Sequence, residues 1–192
     1  MEMKRRPLVS VIGNAEVPDD DVRIGLAEEV GRLLVDAGAR VVTGGRRGVM
    51  AAAMRGARAA ARYREGDTIG LYPGHDPDGA SEFADIVIAT GLDFARNLLV
   101  ANSDGIIVVG GSAGTLVELA SAWHFRRPVV ALDTPGWGQR VAGTRLDERV
   151  RVDESVMPVA DDVVRLAATP ADAVELIMQL IPLHTKRHQP LL

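Results

Sequence analysis

Hydrophobic positions along this chain follow two rhythms in alternation. Short, nearly unbroken apolar runs close on glycine, proline or aspartate: "PLVSVIG" (Pro7 to Gly13), "ARVVTGG", "DTIGLYPG", "ADIVIAT", "GIIVVGG" and "RPVVALD". Each has the length of a strand. Between them apolar residues recur at helical spacing. From about Asp21 to Ala37 the stripe is Ile24, Leu26, Ala27, Val30, Leu33 and Leu34, with Gly38 placed to stop the helix. Further helices are predicted for "GVMAAAMRGARAAAR", from Asp93 to about Asn102, and from Gly114 to Phe125. In the last, "TPADAVELIMQLI", Thr169 is the N-cap and Pro170 the first helical residue.

Strand and helix in regular alternation imply parallel strands joined by right-handed crossovers. Ile106 to Val109 is apolar without alternation, as a strand covered on both faces must be. The predicted fold is therefore α/β, a single doubly wound Rossmann-like domain. A mostly parallel central sheet flanked by helices would span residues 1–183, with a loose tail at 184–192. From Thr134 to Leu146 the pattern dissolves into a glycine-rich loop, long enough for a lid or a mobile segment.

Composition removes several function classes. With 47% hydrophobic and 25% charged residues the chain is ordinary globular protein, and its net charge of −4 offers no broad basic field. Nucleic acid is thus not an expected partner. No apolar run reaches the roughly 20 residues that span a bilayer, so no membrane is expected. Met1 to Pro7 shows no signal-peptide core, and a cytoplasmic location is the default. There are no cysteines, which excludes disulfides and thiolate chemistry. The only lysines are Lys4 and Lys186, each near an end of the sequence. A P-loop and a pyridoxal-phosphate Schiff base both need a lysine in the body of the fold. Neither class fits.

In a doubly wound sheet, ligands bind beyond the carboxyl ends of the strands. Glycine turns fall at several such ends: Gly13, Gly44-Gly45, Gly74 and Gly110-Gly111. Two lead quickly into helices, as "TGGRRGVM" and "VVGGSAGTLVE". A helix start offers unpaired N–H groups and the positive end of a dipole, and glycine lets an anion approach. A second reading is equally open: Thr115 to Glu118 has the spacing of a capping box, in which Glu118 only closes its own helix. Arg46 and Arg47 sit in the first glycine loop and either face the cleft or point to solvent. Arg96 either binds an anion or pairs with Asp93 one turn away.

"GGSAGTLVE" resembles the P-G-G-x-G-T-x-x-E signature of the LONELY GUY (LOG) phosphoribohydrolases, the group often misnamed lysine decarboxylases. "TGGRRGVM" is similar to the first glycine loop of that superfamily, "IGLYPG" to its third strand, and "ARNLLVANSDGIIVVGG" to its arginine-bearing helix and signature strand. The resemblance covers about Val9 to Val130. The "TGLDFARN" opening is most similar to the molybdenum-cofactor carrier proteins. Two positions depart from the enzymes: Val109 stands before the glycine pair where the signature has proline, with one residue more between that pair and Gly114, and Asn97 takes the place of the lysine of the usual arginine-lysine pair.

The resemblance implies a carrier for a phosphorylated heterocycle, with molybdenum cofactor as the possible ligand. The alternative is a phosphoribohydrolase that splits nucleoside 5′-monophosphates into base and ribose 5-phosphate. In that case Arg96 and Glu118 would be catalytic. The implied ligand- and phosphate-binding set is Gly13, Gly44, Gly45, Arg46, Arg96, Gly110, Gly111, Ser112, Gly114 and Thr115. No cofactor is required, though a molybdenum cofactor or nucleoside monophosphate could be bound. A homodimer or homotetramer is implied too, with the apolar helix that carries Trp123 as a candidate contact surface and Trp123 itself either core or subunit contact. No metal constellation emerges: His184 and His188 have ligand spacing but are read as solvated tail. Trp137, between two glycines, would be able to close over a planar ring or pack on the surface.

Overall fold

Seven parallel strands form one sheet in the order β4-β3-β2-β1-β5-β6-β7 in the computed structural model, which describes residues 5–184. The strands are β1 (Leu8–Gly13), β2 (Arg40–Thr43), β3 (Thr68–Tyr72), β4 (Ile86–Ala89), β5 (Gly105–Val109), β6 (Val129–Leu132) and β7 (Arg165–Ala167). The α/β doubly wound fold read from the sequence is the one observed. Strand order reverses at β1, which pairs with β2 on one side and β5 on the other, Gly13 lying opposite Val109. The crevice that such a reversal opens lies at the carboxyl ends of β1 and β5.

Alternate residues of the central strands serve two cores. Val9, Val11, Ile107 and Val109 face α1 (Val22–Asp36), α2 (Val49–Arg58) and α6 (Pro170–Leu180). Ile12, Ile106 and Val108 face α3 (Asn97–Ala101) and α4 (Ala113–His124). The helix signals hold in detail. Asp21 caps α1 through the Arg23 N–H, and Gly38 follows its end at φ +90°, a conformation glycine adopts without strain. Thr169 and Asp172 form a full capping box at α6, with Pro170 leading the helix. Helices α1 and α2 touch backbone to backbone: a Cβ on Gly31 would overlap the Ala53 carbonyl, and one on Gly56 the Glu28 carbonyl.

Two expectations need correction, and two open readings are decided. The Thr134–Leu146 segment is not a free lid. It contains a short helix, α5 (Trp137–Val141), whose Trp137 and Gly138 N–H groups bond the carbonyls of Gly111 and Gly110. The Trp137 ring meets the Arg140 guanidinium at 5.2 Å rather than an open ligand face. Of the two roles read for Trp123, core or subunit contact, its 1% exposure decides for the core. The Arg151 guanidinium stacks on Trp123 at 3.3 Å, and the indole N–H donates to Asp147.

His184, placed by the sequence at the head of a solvated tail, is buried. Its ring nitrogens lie 3.0 Å from the Leu180 carbonyl and 3.1 Å from the Asp162 carboxylate. Arg151 holds the same carboxylate with bonds of 2.9 and 2.5 Å. Burial alone would push the Asp162 carboxyl up, but the bonds from His184 and Arg151 hold it below its usual range. The tail beyond it, with Lys186, His188 and Pro190, lies outside the described residues, as do residues 1–4 with Lys4. Among the described residues no helix is long and apolar enough to cross a membrane.

Candidate functional site

The signature helix α4 begins at Ser112, which makes no side-chain capping bond. The capping box considered for Thr115 and Glu118 is absent. Thr115 Oγ1 instead donates to the Gly13 carbonyl at 3.2 Å, and the Glu118 side chain turns across to Arg96. A helix start without a cap keeps its first-turn N–H groups available to an outside acceptor.

Not all the glycines expected to hold an anion have an N–H free to offer one. The Gly110 N–H donates to Thr134 Oγ1, and the Gly111 N–H to Asn14 Oδ1, each at 2.8 Å. With their carbonyls bonded by α5, both residues shape the turn at φ +72° and +111° rather than present free donors. The donors that remain are those of the helix start itself. Gly45 is similarly occupied, its N–H donating to Thr43 Oγ1. Gly44 instead makes room, since a Cβ there would overlap the guanidinium of Arg96.

Arg96 lies in a 3₁₀ turn, Asp93–Arg96, that runs into α3. It forms no surface pair with Asp93. It is 6% exposed, and its Nε and Nη1 have no hydrogen-bond partner. Glu118, 7% exposed, approaches to 3.7 Å, close enough for attraction but too far for a hydrogen bond. Desolvation outweighs that attraction for both partners. Burial pushes the Glu118 carboxyl up to about 7, against the pull of Arg96. Burial likewise lowers the Arg96 guanidinium, and the nearby charge of Arg46 lowers it further. A buried cation with unmade hydrogen bonds is costly unless an anion completes it.

These residues line a cavity of about 190 Å³, with Gly13, Arg46, Ser112, Gly114 and Thr115 also in its wall. The sequence therefore placed seven of its candidates together there, counting Arg96 and Glu118. Gly44, Gly45, Gly110 and Gly111 lie outside the wall, as supports. The sequence missed Met50, Pro73 and Phe94 as wall residues, and Asn14 as the brace of the turn. Asn14 had one usable signal, its place directly after the strand-ending Gly13. On the far side of Arg46 and Ala15 the cavity adjoins an open groove of about 710 Å³, which includes Arg47, Tyr72 and Ala80. Among the described residues no group of three or more histidines and carboxylates is placed to hold a metal ion.

Three known proteins and one family model bear on this site. The molybdenum cofactor binding protein of Rippkaea orientalis superposes with a TM-score of 0.74 at 31% identity, covering 93% of this chain and 99% of that one. A molybdenum cofactor carrier protein of Chlamydomonas reinhardtii does so with a TM-score of 0.70 at 30% identity, over the same shares of the two chains. A protein of Archaeoglobus fulgidus, described only as uncharacterized, is 36% identical over 128 residues, 66% of this chain and 80% of its own length. The family model for the SLOG cluster4 family matches residues 6–162, from before β1 to the Asp162 that anchors His184. That span includes every wall residue of the cavity, and the chain belongs to the SLOG cluster4 family.

Proposed function

We propose that this protein binds and carries a phosphorylated heterocycle, with molybdenum cofactor as the ligand. The observation that carries the reading is Arg96, a buried guanidinium whose Nε and Nη1 are unpartnered in the wall of a cavity. A phosphate oxygen is the acceptor such donors lack, and charge-assisted bonds to it are among the strong ones. Arg46 and the uncapped start of α4 would share the same group. The pterin of molybdenum cofactor ends in a phosphate, which fits this donor set. The likeness to a cofactor binding protein and a cofactor carrier protein supports that choice. With no cysteine in the chain, the protein offers no thiolate to a metal.

One observation favours a phosphoribohydrolase. A carboxyl group near 7 is poised to exchange a proton at neutral pH, and Glu118 faces the same cavity as Arg96. Asn97 stands against it, since a neutral amide in the cavity wall cannot supply the charge of the enzymes' lysine. Incubation with AMP separates the two readings. The carrier releases no adenine over many protein equivalents yet binds a phosphorylated pterin, and Arg96→Ala weakens that binding. Multiple-turnover adenine release, lost in Glu118→Ala, would establish the enzyme instead. The assembly, expected to be a homodimer or homotetramer, is read from the same sample by sedimentation. A 20.5 kDa species alone would refute it.

A further inference from the structure

In a protein that carries its ligand intact, Glu118 has no bond to break, yet it is buried in the wall of the inner cavity. Among the described residues no hydrogen bond reaches its carboxylate, and the near counter-charge is Arg96 at 3.7 Å. Other charges close by are few. Arg46 and Asp93 share the cavity wall but are exposed to water, which screens them. Of the elements packed against α4, the turn before α3 contributes Arg96 and Asp93, and α5 contributes Arg140, which stacks on Trp137. The residues of α3, β1, β5 and β6 include no ionisable side chain.

An anion on Arg96 upsets this balance. Nη1, the guanidinium nitrogen that faces Glu118, is one of the two without a hydrogen-bond partner. An acceptor bonded there, inside a cavity of about 190 Å³, lies beside the carboxylate. The charge of Arg96 is then shared with the newcomer, and two negative groups side by side in a buried site cannot both stay ionised. A carboxylate that takes a proton stops repelling the anion and becomes a donor to it. Such O–H···O⁻ bonds are short and strong.

Resting on the phosphate-binding reading above, we infer that Glu118 couples ligand capture to the uptake of one proton. The anion is held by Arg96 and by the Glu118 O–H together, and loss of that proton sets the two negative groups against each other and drives the ligand out. Burial already holds the free carboxyl at about 7, so an anion, which raises it further, binds fully below that pH and less as the pH rises above it.

Sulfate is the probe that tests this. It stays a dianion throughout, whereas a phosphate monoester itself titrates at about pH 6, so any proton taken up with sulfate goes to the protein. Titration under a pH-stat at about pH 8 is expected to show close to one proton taken up per sulfate bound, and affinity by calorimetry is expected to fall about tenfold for each pH unit above about 7. Glu118→Gln, with an amide donor in place of the acid, is expected to take up no proton, to lose the pH dependence and to bind more tightly than wild type at about pH 9. Sulfate that binds wild type but not Arg96→Ala, with no proton uptake and one affinity across the range, overturns the coupling and leaves the anion site standing. Sulfate that binds neither protein, or both equally, overturns the phosphate-binding reading, and this inference with it.

Discussion

Replacing Glu118 by glutamine removes the charge and almost nothing else. In the folded protein, burial raises the carboxyl from 4.5 to about 7, and Arg96 recovers only part of that cost. In the unfolded chain the group titrates normally. A raised carboxyl contributes stability that is fully present below about pH 4.5 and is lost as the pH rises through about 7, where folding must bury the charge or hold a proton. The shift corresponds to about 3 kcal/mol. Wild type and Glu118→Gln are therefore expected to differ little in stability near pH 4.5. The variant should gain progressively up to about pH 8.5, where it is the more stable by about 3 kcal/mol. Urea unfolding across that range measures the difference directly, provided the two proteins share one m-value. All other titrating groups cancel in the comparison. A difference that stays flat with pH would show that Glu118 is an ordinary ionised carboxylate whose charge burial does not control.

Gly44→Ala sets a Cβ against the Arg96 guanidinium; affinity for a phosphorylated pterin by calorimetry is expected to fall at least tenfold, about 1.4 kcal/mol, with the fold retained by circular dichroism. Asp162→Ala strands the buried charge of Arg151 and should cost about 3–5 kcal/mol in urea unfolding, while Arg151→Met with Asp162→Leu recovers much of it. Thr169→Ala removes the capping box of α6 at a cost of about 1 kcal/mol in the same assay.

What the sequence revealed is what local chemistry decides. Gly38, Thr169 and Pro170 act on their own helices, and each signal is borne out, while Asp21, read only as the approximate start of its helix, is the residue that caps it. The strand β7 went unread because three residues, with only Ala167 buried, show no period. The glycine donors were misjudged for a related reason. Gly110 and Gly111 are bonded by Thr134 and Asn14, the latter 97 residues away, and no local pattern contains such a partner. Glu118 was balanced between two roles in sequence because a capping box and a buried acid share one spacing. Only the approach of Arg96 from the turn before α3 separates them. His184 was misread because its partner, Asp162, sits in a stretch with no helical or strand rhythm.

The sheet order has a consequence for how the protein is made. Four strands lie on one side of the β1–β5 seam and three belong to the other, and the ribosome delivers them in that sequence. Until β5 emerges, β1 has an open edge and the cleft has only one bank, with Gly13 and Arg46 in place but Ser112 and Glu118 still unmade. A ligand held between those banks works as a rivet across the seam. At a hundred times its dissociation constant it adds about 2.7 kcal/mol against separation of the halves. Exchange of the β1 and β5 amides with solvent is where that rivet will register, strand by strand, before any probe of the outer edges responds.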